Sequence, residues 1–261
     1  MSRSRRIETF HPSRYLTARA TATHLSTLNA HSQTKAFPMP DTISRDEAIA
    51  IISEMELRKL TDEDRAEQLD TMTQEDWRVV PGWNQLAEDV RAEMESGREV
   101  DNPMDTRFDP VLMVWLCDGY AAARNEFLND LLEKAGHDYD EVTGEPASMI
   151  PCPCCGRCTL EGQEGFDICM VCGWEDDGQD NTDANQIFGG PNQGISLTRG
   201  RINFLISGIY DPAREELREW LHPADRYVLG REFVLSSDLK SVSEPAMNWQ
   251  GSLKDEQKWS R

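Results

Sequence analysis

The sequence predicts an α+β protein in which a helical N-terminal domain precedes a small cysteine-rich module. Two observations carry this. Apolar residues recur at helical spacing, between capping residues, over residues 43–136. Six of the seven cysteines then fall between Cys152 and Cys172, after a segment rich in Asp, Gly and Pro. At 261 residues and 38% hydrophobic, with seven Trp and eight Phe, the chain has material for one good core or two modest ones.

The first 38 residues stand apart. Arg3, Arg5, Arg6, Arg14, Arg19 and Lys35 face Glu8 alone, a local charge of +5 within a chain of −20. Arg- and Ser-rich, acid-poor leaders resemble transit peptides. Met39 nevertheless opens a more coherent sequence, so residues 1–38 are expected to be a disordered extension or an upstream start. The helical domain is expected over 39–136. Ser44-Arg45-Asp46-Glu47 reads as a capping box, followed by Ala48, Ile51, Ile52 and Met55 on one face. Thr61 caps a second helix bearing Ala66, Leu69 and Met72. Pro81-Gly82 breaks the chain, and Leu86, Val90 and Met94 mark a third helix. A single strong helix is predicted over Val111–Leu132, ended by Gly136, with Leu112, Trp115, Leu116, Ala123, Phe127 and Leu131 turned inward. Cys117 reads as a small core residue.

Residues 137–149 read as a linker, and 150–235 as the cysteine-rich domain. Within it, Ser196 to Gly208 is expected as a helix or an extended packing segment, and Asp211-Pro212 starts a short helix toward Trp220. Beyond Ser236 the apolar content falls, so residues 236–261 are expected to form a flexible tail.

The cysteines carry the chemistry. Cys152-Pro153-Cys154-Cys155-Gly156 and Cys169-Met170-Val171-Cys172-Gly173 are both C-x-x-C-G. Two thiolates so spaced grip one ion from a tight turn, and the glycine permits the positive φ at which the chain leaves. Two such knuckles supply four sulfurs in a tetrahedron, which suits one structural Zn2+. Cys152, Cys155, Cys169 and Cys172 are therefore the expected ligands of a zinc-ribbon-like module. Thr159-Leu160 and Phe166-Asp167-Ile168 are its expected antiparallel strands, with residues 161–165 as the turn. Cys155 and Cys158 also form a C-x-x-C pair, but the first choice places glycine after the second ligand in both blocks. Cys154 and Cys158 are then additional thiols. Four sulfurs close the coordination sphere, which fits a structural ion rather than a catalytic one.

Trp174-Glu175-Asp176-Asp177 follow the second knuckle. An exposed aromatic beside carboxylates would dock a basic partner; the alternative is that Trp174 packs over the knuckle. The Gly189–Gly194 cluster lacks the Lys-Ser or Lys-Thr of a phosphate loop.

Taken together, Cys152 to Gly156, Asp167-Ile168-Cys169, Cys172 with Trp174-Glu175-Asp176-Asp177, and Gly190-Pro191-Asn192-Gln193-Gly194-Ile195-Ser196-Leu197 with Arg201 and Asn203 resemble the bacterial cysteine-rich CPCC domain. The resemblance covers about 151–204. Asp109-Pro110-Val111-Leu112 and Asn125-Glu126-Phe127-Leu128 are similar to a helical segment that precedes the domain in some members. The resemblance implies zinc binding, itself mainly inferred in that family, and brings no established enzymatic activity.

The charge bears on partners. With 47 acidic against 27 basic residues, the chain repels phosphate backbones and attracts basic proteins. No apolar run is long enough to span a membrane, and tight C-x-x-C pairs suggest metal in a reducing cytoplasm. The expectation is a non-enzymatic, zinc-binding interaction protein, of the immunity or antitoxin type, directed at a basic toxin. The alternatives are a thiol-dependent enzyme and a nucleic-acid-associated zinc ribbon; charge opposes the second.

Overall fold

The computed structural model describes residues 41–253, except 75, 76, 163, 164 and 189. The expected extension over 1–38 lies outside them. The described chain divides into two compact units: 41–121 with 125–145, and 122–124 with 146–253. Helices and short sheets are mixed in an α+β arrangement. Among the described residues, no helix is long and apolar enough to cross a membrane.

In the helical unit, β1 (Thr42–Ser44) leads directly into α1 (Arg45–Leu57). Ser44 is the N-cap, and the reciprocal bonds between its side chain and Glu47 form the capping box. Helix α2 (Asp62–Gln74) starts at Thr61, whose hydroxyl accepts from the Asp64 amide while the Asp64 carboxylate accepts from the Thr61 amide. Arg65, buried on α2, donates to the Pro103 carbonyl and pairs with Asp109 at 2.7 Å. Helix α3 (Glu88–Met94) is short. Leu69, Met72, Trp77, Trp83, Val90, Met94, Phe108, Val111 and Leu112 form the core.

The single helix expected over 111–132 is two: α4 (Asp109–Gly119) and α5 (Asn125–Lys134). The break resets the helical phase, so Leu128 and Leu132 are buried where Phe127 and Leu131 were expected. The turn between them is held by Arg45, buried on α1, which donates to the carbonyls of Tyr120 and Ala121 and to Asn125. The expected linker contains β2 (Glu141–Thr143), which pairs in parallel with β1, Ile43 beside Val142.

The cysteine-rich unit has three further pieces. Strands β3 (Ile150–Pro151) and β4 (Cys158–Leu160) pair antiparallel across the first knuckle. Helix α6 (Leu197–Ser207) is capped by Ser196 and ended by Gly208 at φ +78°. Strands β5 (Val234–Leu235), β6 (Ser241–Glu244) and β7 (Trp249–Ser252) form an antiparallel sheet in that order. Residues 241–252 are thus not a loose tail: Val242 is buried with Ile202 and Phe233. The expected helix toward Trp220 is a single 3-10 stretch, Glu215–Glu219.

Candidate metal centre

Each C-x-x-C-G block folds into the same turn. In the first, the Gly156 amide donates to the Cys152 carbonyl (2.9 Å) and the Cys154 amide to Cys152 Sγ (3.4 Å). In the second, the Gly173 amide donates to the Cys169 carbonyl (2.8 Å) and the Val171 amide to Cys169 Sγ (3.4 Å). The strand-like closure repeats too: the Cys152 amide donates to the Arg157 carbonyl and the Cys169 amide to the Trp174 carbonyl, both at 2.8 Å. Gly156 and Gly173 leave at φ +76° and +81°, where a Cβ is strained.

The two turns bring Cys152, Cys155, Cys169 and Cys172 together, all buried, with their sulfurs within 4.8 Å of one another. Cys152 and Cys172 sulfurs are 3.7 Å apart and those of Cys155 and Cys169 3.5 Å. These are not disulfides, whose sulfurs are about 2.05 Å apart. A zinc ion with sulfurs at about 2.3 Å sets the edge of its tetrahedron near ~3.8 Å. The donor set and its spacing fit one tetrahedral thiophilic ion.

Electrostatics agree with a site built for a cation. Burial pushes the Cys152 thiol up to about 11 and drives those of Cys155 and Cys172 well up. Cys169 goes the other way: burial opposes its charge, but hydrogen bonds from the three neighbouring thiols and from Thr159 outweigh it. Thr159 Oγ1 lies 3.1 Å from Cys169 Sγ. A ligand sulfur must be a thiolate, so an ion held by these four would have to offset the burial that raises three of them.

Cys154 and Cys158 fall outside the quartet. Cys154 is buried against α6, where a Cβ on Gly200 would come within 3.3 Å of its sulfur. It also reaches the Cys172 thiol from that side. Cys158 lies partly exposed beside Pro151 and Gly230.

The strands differ from expectation. Instead of one hairpin between 159–160 and 166–168, each knuckle closes on its own flanks: β3 with β4 at the first, and Ile168 with Glu175 at the second. Residues 163 and 164 of the expected turn lie outside the described residues. The module has its own apolar core. Leu160, Trp174, Leu197, Ile209, Tyr210, Leu217 and Tyr227 pack around the cysteines.

Of the two readings of Trp174, docking anchor or packing over the knuckle, the structure shows the packing one, which corrects the docking surface at Trp174–Asp177. Its side chain is 0% exposed, edge-on to Tyr210 at 5.7 Å. A Cβ on Gly200 would lie 3.0 Å from the indole, so the missing side chain on α6 makes its slot. Asp176 is 5% exposed. The Glu175 amide and carbonyl are both taken by the Asn192 side chain, at 3.1 and 2.9 Å, and Asn192 also donates to Asp177. This explains the Gly190-Pro191-Asn192 turn: it delivers an amide that completes the backbone hydrogen bonding of the second knuckle. Of the four, only Glu175 and Asp177 stay partly exposed.

Three supports of the site escape a reading of the sequence. The Tyr210 amide donates to the Cys172 carbonyl, the His222 amide to the Met170 carbonyl, and Arg201 Nε to the Pro153 carbonyl at 2.7 Å. Asn203 in turn holds the Tyr210 carbonyl. Arg201 and Asn203 stand in the family-like stretch, but nothing local in the sequence indicates their targets.

Comparison with known proteins agrees with this geometry. A family model described as cysteine-rich CPCC matches residues 150–226, the stretch that contains both knuckles and α6. No curated protein and no solved structure matches the chain.

Proposed function

We propose that the chain holds one structural Zn2+ through Cys152, Cys155, Cys169 and Cys172 in a zinc-ribbon-like module, and that it works as a non-enzymatic binding protein in a reducing cytoplasm. The observation that carries the reading is the buried sulfur quartet at tetrahedral spacing. When bound, the ion would supply a four-way crosslink between the two turns and, with four sulfurs about it, no position for substrate. The chain's own residues orient the thiolates: the Cys154 and Val171 amides and the Thr159 hydroxyl each give a hydrogen bond to a ligand sulfur. Elemental analysis of the full chain is expected to give one zinc per chain and Cys169→Ser to abolish it. A metal-free wild-type chain, or a serine variant with unchanged zinc, sinks the reading.

The net charge of −20 supports a basic protein as the partner, of the kind an immunity or antitoxin-type protein neutralises. Such a partner should associate at a rate that falls steeply with added salt. A host lacking any basic protein that binds stably to the full chain would contradict this part of the proposal.

A further inference from the structure

The family match ends at residue 226, but the hydrogen bonds of the first knuckle continue past it. The second knuckle is held from within the matched stretch, by Tyr210 and His222. The first is held by the segment that begins at Tyr227. Arg157 donates to the Tyr227 carbonyl, the Cys158 amide to the Val228 carbonyl, and the amides of Gly230 and Arg231 both to the Gly156 carbonyl, at 2.9 and 3.1 Å. Gly230 passes so close that a Cβ there would lie 2.8 Å from both Cys158 Sγ and Pro151.

Arg201 adds a second hold. Pro153, between the ligands Cys152 and Cys155, has no N–H, and its carbonyl receives Arg201 Nε. The guanidinium is 0% exposed and lies between the rings of Phe233 and Trp249, at 4.2 and 4.4 Å. Its other nitrogens donate to Asn181 and Asp180. Arg231 bridges Asp180 and Glu244 from the far side, at 2.7 Å to each, and Asn181 donates to Glu244. Trp249 Nε1 donates to the Asn181 carbonyl, fixing the ring that covers Arg201. Two cations and two carboxylates thus close a network around a single backbone carbonyl of the metal turn.

We infer that residues 227–252 are a strap belonging to the metal centre, and that Arg201 is its positioning residue, holding Cys152 and Cys155 at ligand spacing through the Pro153 carbonyl. The strap sets how fast metal leaves the first pair of sulfurs. The inference rests on the metal reading above. Lysine cannot replace Arg201, because one ammonium cannot serve three acceptors in a plane while stacked between two rings. Glu244 and Phe233 act on the metal only through Arg201 and Arg231, so the cluster works as one latch.

The test uses the full chain loaded with zinc, and monitors its release to a coloured chelator. Arg201→Lys and Arg231→Met are expected to release zinc about 10- to 100-fold faster than wild type, the range for partners that orient metal ligands. Their cobalt-loaded forms should show shifted ligand-field bands at unchanged stoichiometry. Gly194→Ala, whose added Cβ meets nothing within 4 Å, serves as the reference for a general loss of stability. If either strap variant releases zinc no faster than Gly194→Ala at an equal drop in unfolding midpoint, the strap inference is overturned. Arg231→Met leaves the Pro153 contact in place, so it reports even if Arg201→Lys does not fold. Failure of the metal reading looks different: wild type itself would then carry no zinc that Cys169→Ser removes.

Discussion

Gly156 turns directly beneath the carbonyl of Arg231: a Cβ built on residue 156 would collide with that oxygen. The close approach ties the first metal turn to a residue 75 positions later. It gives this glycine two separate reasons to be a glycine, its φ of +76° and its neighbour.

Gly156→Ala is therefore expected to cost more than Gly194→Ala, which shares the φ of +76° but meets nothing within 4 Å. Strain in the left-handed region alone costs about 1–2 kcal/mol, and that is the loss expected at 194. At 156 the strap must also move, which should add about 2 kcal/mol or more and speed zinc release. Unfolding midpoints and release rates of the two variants check this; equal losses would contradict it.

Metal removal should act on one unit. Structural zinc in small peptides contributes on the order of 10–16 kcal/mol of apparent binding free energy, comparable with the whole stability of a domain, about 5–15 kcal/mol. Chelation should abolish the near-ultraviolet signal of the Trp174–Tyr210 pair and admit proteases between 152 and 175. The core around Trp83, Phe108 and Leu112 contains no ligand cysteine, so the far-ultraviolet signal of α1–α5 should survive. A near-ultraviolet spectrum unchanged by complete zinc removal would be incompatible with a structural ion.

Asp118 on α4 gives a pH signature independent of the metal. Burial pushes its carboxyl up to about 6, against about 3.9 in an unfolded chain. Between these values the folded state holds the proton more tightly. The cost of burying the charge is present in full above pH 6 and fades as pH falls toward 4. Asp118→Asn should stabilise by up to about 3 kcal/mol at pH 7.5 and by only about 0.5 kcal/mol at pH 4. Urea titrations monitored by helical signal at both pH values check it. A gain independent of pH would show that charge burial is not the cause.

The metal centre is legible in the sequence because its information is local. A C-x-x-C-G block specifies its own turn, its amide-to-sulfur bond and its positive φ within five residues, and two blocks have few other ways to satisfy four buried sulfurs. The caps of α1 and α6 are legible for the same reason: Ser44 with Glu47 and Ser196 with Gly208 act within one helix. The features that escape depend on distant partners. Trp174 is followed by three acids, which leaves docking and packing both open, and the slot that decides for packing is cut by a glycine 26 residues later. Strands β1 and β2 are three residues each, too short to show a period, and each exists only because the other lies alongside. Residues 241–252 are poor in apolar side chains but bury Val242 with Ile202 of α6 and lay the Trp249 ring against Arg201. The break between α4 and α5 is set by Arg45, some 75 positions earlier, through the carbonyls of Tyr120 and Ala121.

The parallel pairing of Thr42–Ser44 with Glu141–Thr143 has a topological consequence. Parallel neighbours run the same way, so the first strand of the helical unit begins beside the start of its last, and Asp41 and Asp140 are already joined through backbone and carboxylate. A segment about a hundred residues long is thereby drawn into a near-closed loop. Loop closure of that kind is slow to search for but grows only weakly more costly with length. The turns joining α1 to α4 should therefore tolerate insertions, provided the two short strands still meet, whereas the turn between α4 and α5, held by Arg45, should not.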